Sequence, residues 1–325
     1  MQVNFSTSNQ LIKNIKNFLE IKRYSFFDRI FAQKGVFYGW GRKRSGLKAM
    51  KLAKKFNTSY VLLEDGFIRS IGLGVDGSPS FSLIEDSVGV YYDATTPSQL
   101  ENILNTYNFQ ADTALIEDAV KAIELIKQCH ISKYNNAPDI SDDFFMDEDE
   151  QRVLIIAQTA GDASLEYGMI DSFSTNDMIS TALEENPQAT VYLKIHPDVL
   201  SGKKKSDVNV ETLDSCVDVI TQNVNPISLL KHFTKVYTKT SGMGFEALLV
   251  GCECVCFGMP FYAGWGVTDD RSSCNRRKRV LSVEEIFAAA YILYTHYYNP
   301  YTNKPSDIFD TIETIVYHQR NQKIY

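Results

Sequence analysis

The sequence predicts an α/β protein of two Rossmann-like domains with a ligand cleft between them, and three observations carry that prediction. Residues 35–64 run strand, glycine turn, helix, strand; a second βα series begins at Val153; an acidic polar stretch, 132–150, lies between them. At 325 residues the chain is long enough for two hydrophobic cores.

The first unit opens with Gly-Val-Phe-Tyr-Gly-Trp-Gly (35–41), a short strand running into a glycine turn. Residues 45–56 follow with helical spacing and many lysines, and Tyr-Val-Leu-Leu-Glu (60–64) is a second strand. Helical periodicity continues over 98–130. Residues 132–150, with the acidic run between Asp142 and Glu150, read as a linker whose charge is a solvated connection rather than a metal site.

Val-Leu-Ile-Ile-Ala (153–157) is apolar throughout, as expected of a strand covered on both faces. Further strands are expected at 190–195, 217–220, 235–238 and 252–257, with helices at 174–185, 226–232 and 242–250 between them. Ser282, followed by Glu284 and Glu285, starts a helix, and Ser306 with Asp307 starts the last one. The domains are expected at 1–148 and 149–305, with the helix 306–325 packing back on the first. That final pattern runs to Tyr325 without a stop, as in one module of a longer chain, and residues 1–34 have no assigned place.

Composition excludes several classes. Apolar residues make up 44% and charged residues 22%, which is ordinary globular usage. A net charge of −7 argues against a nucleic-acid partner, since phosphate contacts need an excess of Lys and Arg. No apolar run approaches the roughly 20 residues of a membrane span, and the amino terminus lacks a signal-peptide pattern, so a cytoplasmic protein is expected. The six cysteines have no zinc spacing; Cys252, Cys254 and Cys256 alternate along one strand and read as buried, reduced thiols on one face.

Four polar groupings fall at the carboxyl ends of expected strands, where open α/β sheets bind ligands. Glu64-Asp65-Gly66, with Arg69 and Ser70 behind, pairs two carboxylates suited to a general base, or else caps a turn. In Gln158-Thr-Ala-Gly161-Asp162-Ala-Ser164 the glycine admits a ligand to the backbone and Asp162 can reach a sugar's anomeric carbon; the plainer alternative is a helix cap. Lys194-Ile-His196-Pro197-Asp198 sets a histidine where it can donate to a leaving phosphate, or where it is simply half-buried. Thr238-Lys-Thr240-Ser241-Gly242-Met-Gly-Phe-Glu246 precedes a helix whose amino terminus can cradle a phosphate.

That last segment is not a Walker A loop, and no Gly-x-Gly-x-x-Gly follows the first strand, which removes the main support for a dinucleotide oxidoreductase. Two aromatic-glycine segments, 39–43 and 257–266, hold the only two tryptophans. Trp40, Tyr262 and Trp265 offer flat faces to sugar rings, and Arg42 and Lys43 can pair with a sugar carboxylate; core packing is the competing role for the aromatics.

Taken together, Gly39-Trp-Gly-Arg-Lys43, Leu63-Glu-Asp-Gly-Phe-Ile-Arg-Ser70, Gly89-Val-Tyr-Tyr-Asp93, Gln158–Ser164, Lys194–Asp198 and Gly258-Met-Pro-Phe-Tyr-Ala-Gly-Trp-Gly266 resemble the retaining β-Kdo transferase modules of the capsule polysaccharide protein KpsC, over roughly residues 35–310. The resemblance implies a GT-B-like fold with the active site in the interdomain cleft. It implies CMP-β-Kdo as donor substrate and a Kdo-terminated glycolipid as acceptor, with an acceptor-side first domain and a donor-side second. Family members carry two such modules, so a second module or capsule-assembly proteins are expected partners, and no cofactor or metal is expected.

By the same resemblance Asp162 is the nucleophile of a double displacement, Glu64 the base, Asp65 its support, and His196 the group that meets the departing phosphate. Gln158, Gly161, Lys194, Pro197, Thr240, Ser241, Gly242, Arg42 and Lys43 are assigned to the donor, and Arg69, Trp40, Tyr262 and Trp265 to the acceptor. An inverting sialyltransferase-like enzyme, a sugar-nucleotide epimerase and a non-catalytic glycan-binding module stay as rival readings. The basic segments 203–205 and 276–279 are read either as solvated loops or as contacts to anionic lipid at the cytoplasmic face of the inner membrane.

Overall fold

The computed structural model describes residues 3–141, 143–145, 151–170, 173–195, 199, 208 and 216–322. Among them the chain forms two sheets. The first opens with β1 (Val3–Ser6), α1 (Asn9–Asn14) and β2 (Lys22–Arg23), so the amino-terminal segment left unassigned from sequence supplies the last two strands at one end of the sheet, with β2 at the edge. A 3₁₀ turn, Phe26–Asp28, and the short α2 (Arg29–Ala32) lead into β3 (Gly35–Trp40), α3 (Arg44–Phe56) and β4 (Ser59–Asp65).

β1, β2, β3 and β4 are mutually parallel where they pair. The helix α3 lies unusually close to β3, because a Cβ on Gly46 would stand 1.8 Å from the Gly41 carbonyl and one on Gly39 would stand 2.5 Å from Gly46 Cα. Glycine at both positions is what permits that approach. Asn57 then closes α3 in the left-handed conformation at φ 51°.

β5 (Ser82–Asp86) runs antiparallel to β4, so the first sheet is parallel-dominated rather than wholly parallel. The periodicity over 98–130 resolves into α4 (Gln99–Thr106), capped by Ser98, and α5 (Thr113–Cys129), capped by Asp112, with a 3₁₀ turn at Phe109–Ala111 between them.

The second sheet comprises β6 (Arg152–Ile156), then α6 (Ala163–Tyr167), α7 (Thr175–Glu185), β7 (Thr190–Lys194), β8 (Val217–Ile220), α8 (Pro226–Leu230), β9 (Lys235–Thr238), α9 (Gly242–Val250), β10 (Glu253–Cys256) and β11 (Asp269–Asp270). Its order is β11-β10-β9-β6-β7-β8, parallel throughout. The chain continues through α10 (Val283–Phe287), which Ser282 and Glu285 cap reciprocally, and a π-helical turn at Ala288–Leu293. It then forms β12 (Thr295–Asn299), β13 (Lys304–Ser306) and α11 (Ile308–Gln322).

Four expectations are corrected here. Residues 295–305 do not stay with the second half: β12 and β13 pair antiparallel with β5 and with each other, extending the first sheet. Residues 132–150 do not begin as a solvated linker, because Ser132 and Asn135 are buried and Asn135 Nδ2 donates to the Ser70 carbonyl at 3.0 Å. Ser306 lies in β13, and the last helix is instead capped through Asp307, whose Oδ1 accepts from Asp310 N at 2.9 Å. Cys252 packs with Leu229 and Phe233, whereas Cys254 and Cys256 sit together in the main core, 3.8 Å apart at sulfur.

That main core joins the halves. Phe81, Leu100, Ala122 and Ile126 pack in one cluster with Phe245, Trp265, Phe287 and Ile312. α11 returns to α5, and Gln319 Nε2 donates to the Asn135 carbonyl at 2.8 Å. No helix among the described residues is long and apolar enough to cross a membrane.

Candidate active site

The carboxyl end of β4 builds one wall. Parallel pairing sets Trp40 beside Leu63, which carries the Trp40 indole to the next residue: Nε1 donates to Glu64 Oε1 at 3.0 Å. Glu64 and Asp65 are the last two residues of β4, not a turn after it. Burial raises the Glu64 pKa; Lys133 and Lys43 oppose this and the Asp65 charge adds to it. Gly41, at φ 36°, lets the chain turn here, since a Cβ would stand 2.3 Å from the Tyr92 hydroxyl and 2.8 Å from Glu64 Oε2.

Asp65 is held by Arg69, whose Nε donates to Oδ1 at 2.9 Å. Arg69 Nη1 also donates to Ser70 Oγ at 2.8 Å, so this arginine shapes the carboxylate more than it faces outward. Arg42 is committed more fully. Nε donates to Asp93 Oδ2 at 2.6 Å, Nη2 pairs with the same carboxylate, and Nη2 donates to Thr96 Oγ1 at 2.8 Å. A guanidinium spent in this way has little left for a sugar carboxylate, which corrects the reading of Arg42 as a donor contact. Lys43, next to it, is exposed.

Two residues without a role in the sequence reading stand in this wall. Lys133, half-buried, has its pKa lowered by burial but raised overall by Tyr91, Asp65, Tyr134 and Glu64. It went unseen because Ser132-Lys-Tyr-Asn135 has the polar composition of a linker. Tyr91 packs on Phe67 at 5.0 Å and Phe261 at 5.9 Å, and burial pushes its hydroxyl up to about 12. Its signal was the Gly89–Asp93 motif.

The second wall is the carboxyl edge of the second sheet. Ile156 pairs with both Lys194 and Thr238, so the loops after β6, β7 and β9 emerge side by side. Gln158 bridges two of them: Oε1 accepts from Thr240 N at 2.8 Å, and Nε2 donates to Thr240 Oγ1 at 3.1 Å and Ser164 Oγ at 3.2 Å. Asp162 is exposed and caps α6, its Oδ1 accepting from Ser164 N at 2.9 Å and Ser164 Oγ at 3.0 Å. Among the described residues Oδ2 has only a 3.5 Å contact to Gln158 Nε2, which leaves it open. Gly161, exposed at φ 85°, has free space about it.

Lys194 is half-buried, and burial lowers its pKa to about 8; Nζ donates to the Gln222 carbonyl at 2.8 Å. Ser241 caps α9, accepting from Met243 N at 3.2 Å, and Gly242 is exposed at the positive end of that helix with no atom within 4 Å of where a Cβ would stand. His196, Pro197 and Asp198 lie outside the described residues.

Tyr91 links the walls electrostatically: the charges of Lys133, Glu64 and Asp65 on the first and of Asp162 on the second all act on its hydroxyl. The seam beside it is sealed by Ala94 N donating to the Tyr167 carbonyl at 2.9 Å and by the Arg42 guanidinium 5.7 Å above the Tyr167 ring.

Tyr262 and Trp265 do not join this crevice. Both are fully buried: the Tyr262 hydroxyl donates to the Ser241 carbonyl at 2.6 Å and Trp265 Nε1 to the Phe261 carbonyl at 2.9 Å. Tyr262 supports the Ser241 loop from beneath, and neither ring presents a face to solvent. Three of the four residues in the basic segment 276–279 are tied to the protein and not to solvent, while Lys278 is exposed. Arg276 Nε donates to Glu101 Oε1 at 2.6 Å, Arg277 Nη1 to the Ala263 carbonyl at 2.6 Å, and Arg279 Nη1 to the Tyr107 carbonyl at 2.8 Å. The other basic segment, 203–205, lies outside the described residues.

A family profile described as "Capsule polysaccharide biosynthesis protein" matches residues 36–298. The chain is 43% identical over 283 residues to the capsule polysaccharide modification protein LipA of Neisseria meningitidis serogroup B, an alignment covering 85% of this chain and 40% of LipA. It is 37% identical over 271 residues to the lipopolysaccharide-processing protein LpsZ of Rhizobium meliloti, covering 83% and 61%. The chain thus spans less than two thirds of these relatives. Among solved structures, "Thermosulfurimonas dismutans KpsC, beta Kdo 2,4 transferase" superposes with a TM-score of 0.88 at 42% identity, covering 97% of this chain and 98% of that one. The corresponding beta Kdo 2,7 transferase gives 0.74 at 30% identity, covering 98% and 99%.

Proposed function

This chain belongs to the capsule polysaccharide biosynthesis protein family, and from that premise we propose that it is a retaining β-Kdo glycosyltransferase. It takes Kdo from CMP-β-Kdo to a Kdo-terminated glycolipid. The observation that carries the reading is that Glu64, at the end of the first sheet, and the exposed Asp162, after the first strand of the second, both act through their charge on one half-buried tyrosine, Tyr91. The closer likeness to the 2,4 transferase than to the 2,7 transferase favours a 2,4 linkage.

In the first step Asp162 Oδ2 attacks the anomeric carbon as the bond to the cytidylate phosphate breaks, giving a glycosyl ester and CMP. The α9 amino terminus at Ser241 and Gly242 receives the departing charge, so no divalent ion is required and turnover persists in chelator. In the second step Glu64 takes the proton of the acceptor hydroxyl, which displaces Asp162 and restores the original anomeric configuration. A raised pKa makes Glu64 a stronger base once ionised, and Lys133 and Lys43 keep the ionised form accessible. His196 is assigned to the leaving phosphate on its sequence resemblance alone.

Incubation with CMP-Kdo, generated in place, and a short synthetic Kdo acceptor tests this. A β-linked product by NMR is expected. An inverted anomer would support the sialyltransferase-like reading, an altered donor without acceptor the epimerase, and glycan binding without turnover a non-catalytic module.

A further inference from the structure

Four large apolar side chains stand in solvent on one short segment: Phe26 is 72% exposed, Phe27 86%, Ile30 85% and Phe31 57%. The segment is pinned in that attitude. Ser25 and Asp28 cap each other, Lys22 Nζ meets Asp28 Oδ1 at 2.7 Å, and Tyr24 packs edge-on against Phe37 at 5.2 Å while Ala32 is fully buried. Apolar surface held outward by its own scaffold marks a contact surface.

The charge around it is one-sided. Residues 1–56 hold thirteen Lys and Arg against two carboxylates, a net +11 in a chain whose total is −7. One of the two carboxylates, Asp28, is occupied by Lys22. Beside the apolar wedge lies a shallow cavity of about 360 Å³ whose lining includes Arg23, Arg29, Lys48 and Lys55, all exposed. Leu52 and the Phe26 ring also line it, with the Arg29 guanidinium 4.7 Å above that ring. A cationic cavity with an aromatic rim, next to apolar side chains that point past it, matches a phosphate headgroup above acyl chains. A second copy of the chain would bring a like-charged surface to the same place.

We propose that Phe26, Phe27, Ile30 and Phe31 insert into an anionic phospholipid bilayer while Arg23, Arg29, Lys48 and Lys55 hold its headgroup phosphates. The wedge leaves the first sheet at the edge that carries the candidate site. Ser6 pairs in parallel with Arg23 and with Tyr38, so the carboxyl end of β2 lies on the same side as Trp40 and Glu64. A docked molecule therefore turns its Glu64 wall toward the membrane side.

The test is co-sedimentation of the full chain with vesicles of phosphatidylcholine alone and with roughly one-third phosphatidylglycerol. Binding to the anionic vesicles that weakens with salt is expected, and the Phe27→Glu/Ile30→Glu variant should lose about tenfold or more of it. An Arg23→Glu/Lys48→Glu/Lys55→Glu variant should lose as much, and it decides the matter if the first variant melts early. Equal binding by both variants and the unaltered chain would overturn the proposal, as would absence of binding to either vesicle. So would concentration-dependent dimerisation that Phe27→Glu abolishes, since a second copy would then be the occupant.

Discussion

Trp40 and Glu64, twenty-four residues apart, meet through a 3.0 Å hydrogen bond between the indole Nε1 and the carboxylate Oε1. The contact turns an aromatic side chain, expected to face a sugar, into the group that orients the carboxylate proposed as the base. An N–H donated to a carboxylate favours its ionised form, so removing it raises the Glu64 pKa beyond what burial already does.

Trp40→Phe is therefore expected to lower kcat by about 10–100-fold, the worth of roughly 1.5–3 kcal/mol in a charge-assisted hydrogen bond. The acid limb of the pH profile should move upward, because Glu64 must be ionised to accept a proton. A pH–rate profile of each protein measures both, and an unchanged limb would remove Trp40 from this role.

Asp162→Asn separates chemistry from architecture. Asparagine caps a helix about as well as aspartate, so the α6 cap and the melting temperature should be preserved. Transfer should fall below detection while CMP binding, followed by calorimetry, is retained.

Glu246 should make folding depend on pH. It is buried, its Oε1 accepts from Ser132 Oγ at 2.6 Å, and burial raises its pKa from 4.5 to about 7. A carboxyl raised in the fold contributes stability below its unfolded pKa, and that contribution is lost as pH rises through the folded value. Unfolding free energy should thus decline between about pH 4.5 and pH 7 by up to about 3 kcal/mol from this group. Glu246→Gln keeps a polar partner for Ser132 and should flatten that slope in denaturant titrations.

Trp265→Ala is expected to cost about 3–5 kcal/mol, the usual loss for a large aromatic removed from a filled core. It is fully buried among residues of both halves. Acceptor KM should change little in whatever fraction stays folded, which steady-state kinetics beside a melting curve would determine.

Much of the candidate site was legible because its residues follow hydrophobic runs. Val153–Ala157 and Lys235–Thr238 announce strands, and the polar residues after them, Gln158 and Thr240, fall at a strand end whatever the tertiary arrangement. Lys133 was not legible: Ser132–Asn135 looks like solvent-exposed chain, and the Arg69 and Ser70 amides donating to the Lys133 carbonyl, with the Asn135 hydrogen bond to Ser70 and the Ser132 bond to Glu246, carry it into the site. β12 was hidden similarly, since Thr-His-Tyr-Tyr-Asn has no clean alternation and follows an apolar helical run.

The amino-acid order alone determined the βα periodicity, the strand ends at which polar loops collect, and the motifs that mark the family, because these depend on spacing along one segment. Tertiary structure decided which of those residues remain free to act. Arg42 is taken by Asp93, Tyr262 and Trp265 are taken by the core, and Asp162 stays open. Burial and partner choice arise from segments far apart in the chain, and no local pattern encodes which cation or aromatic ring another segment will claim.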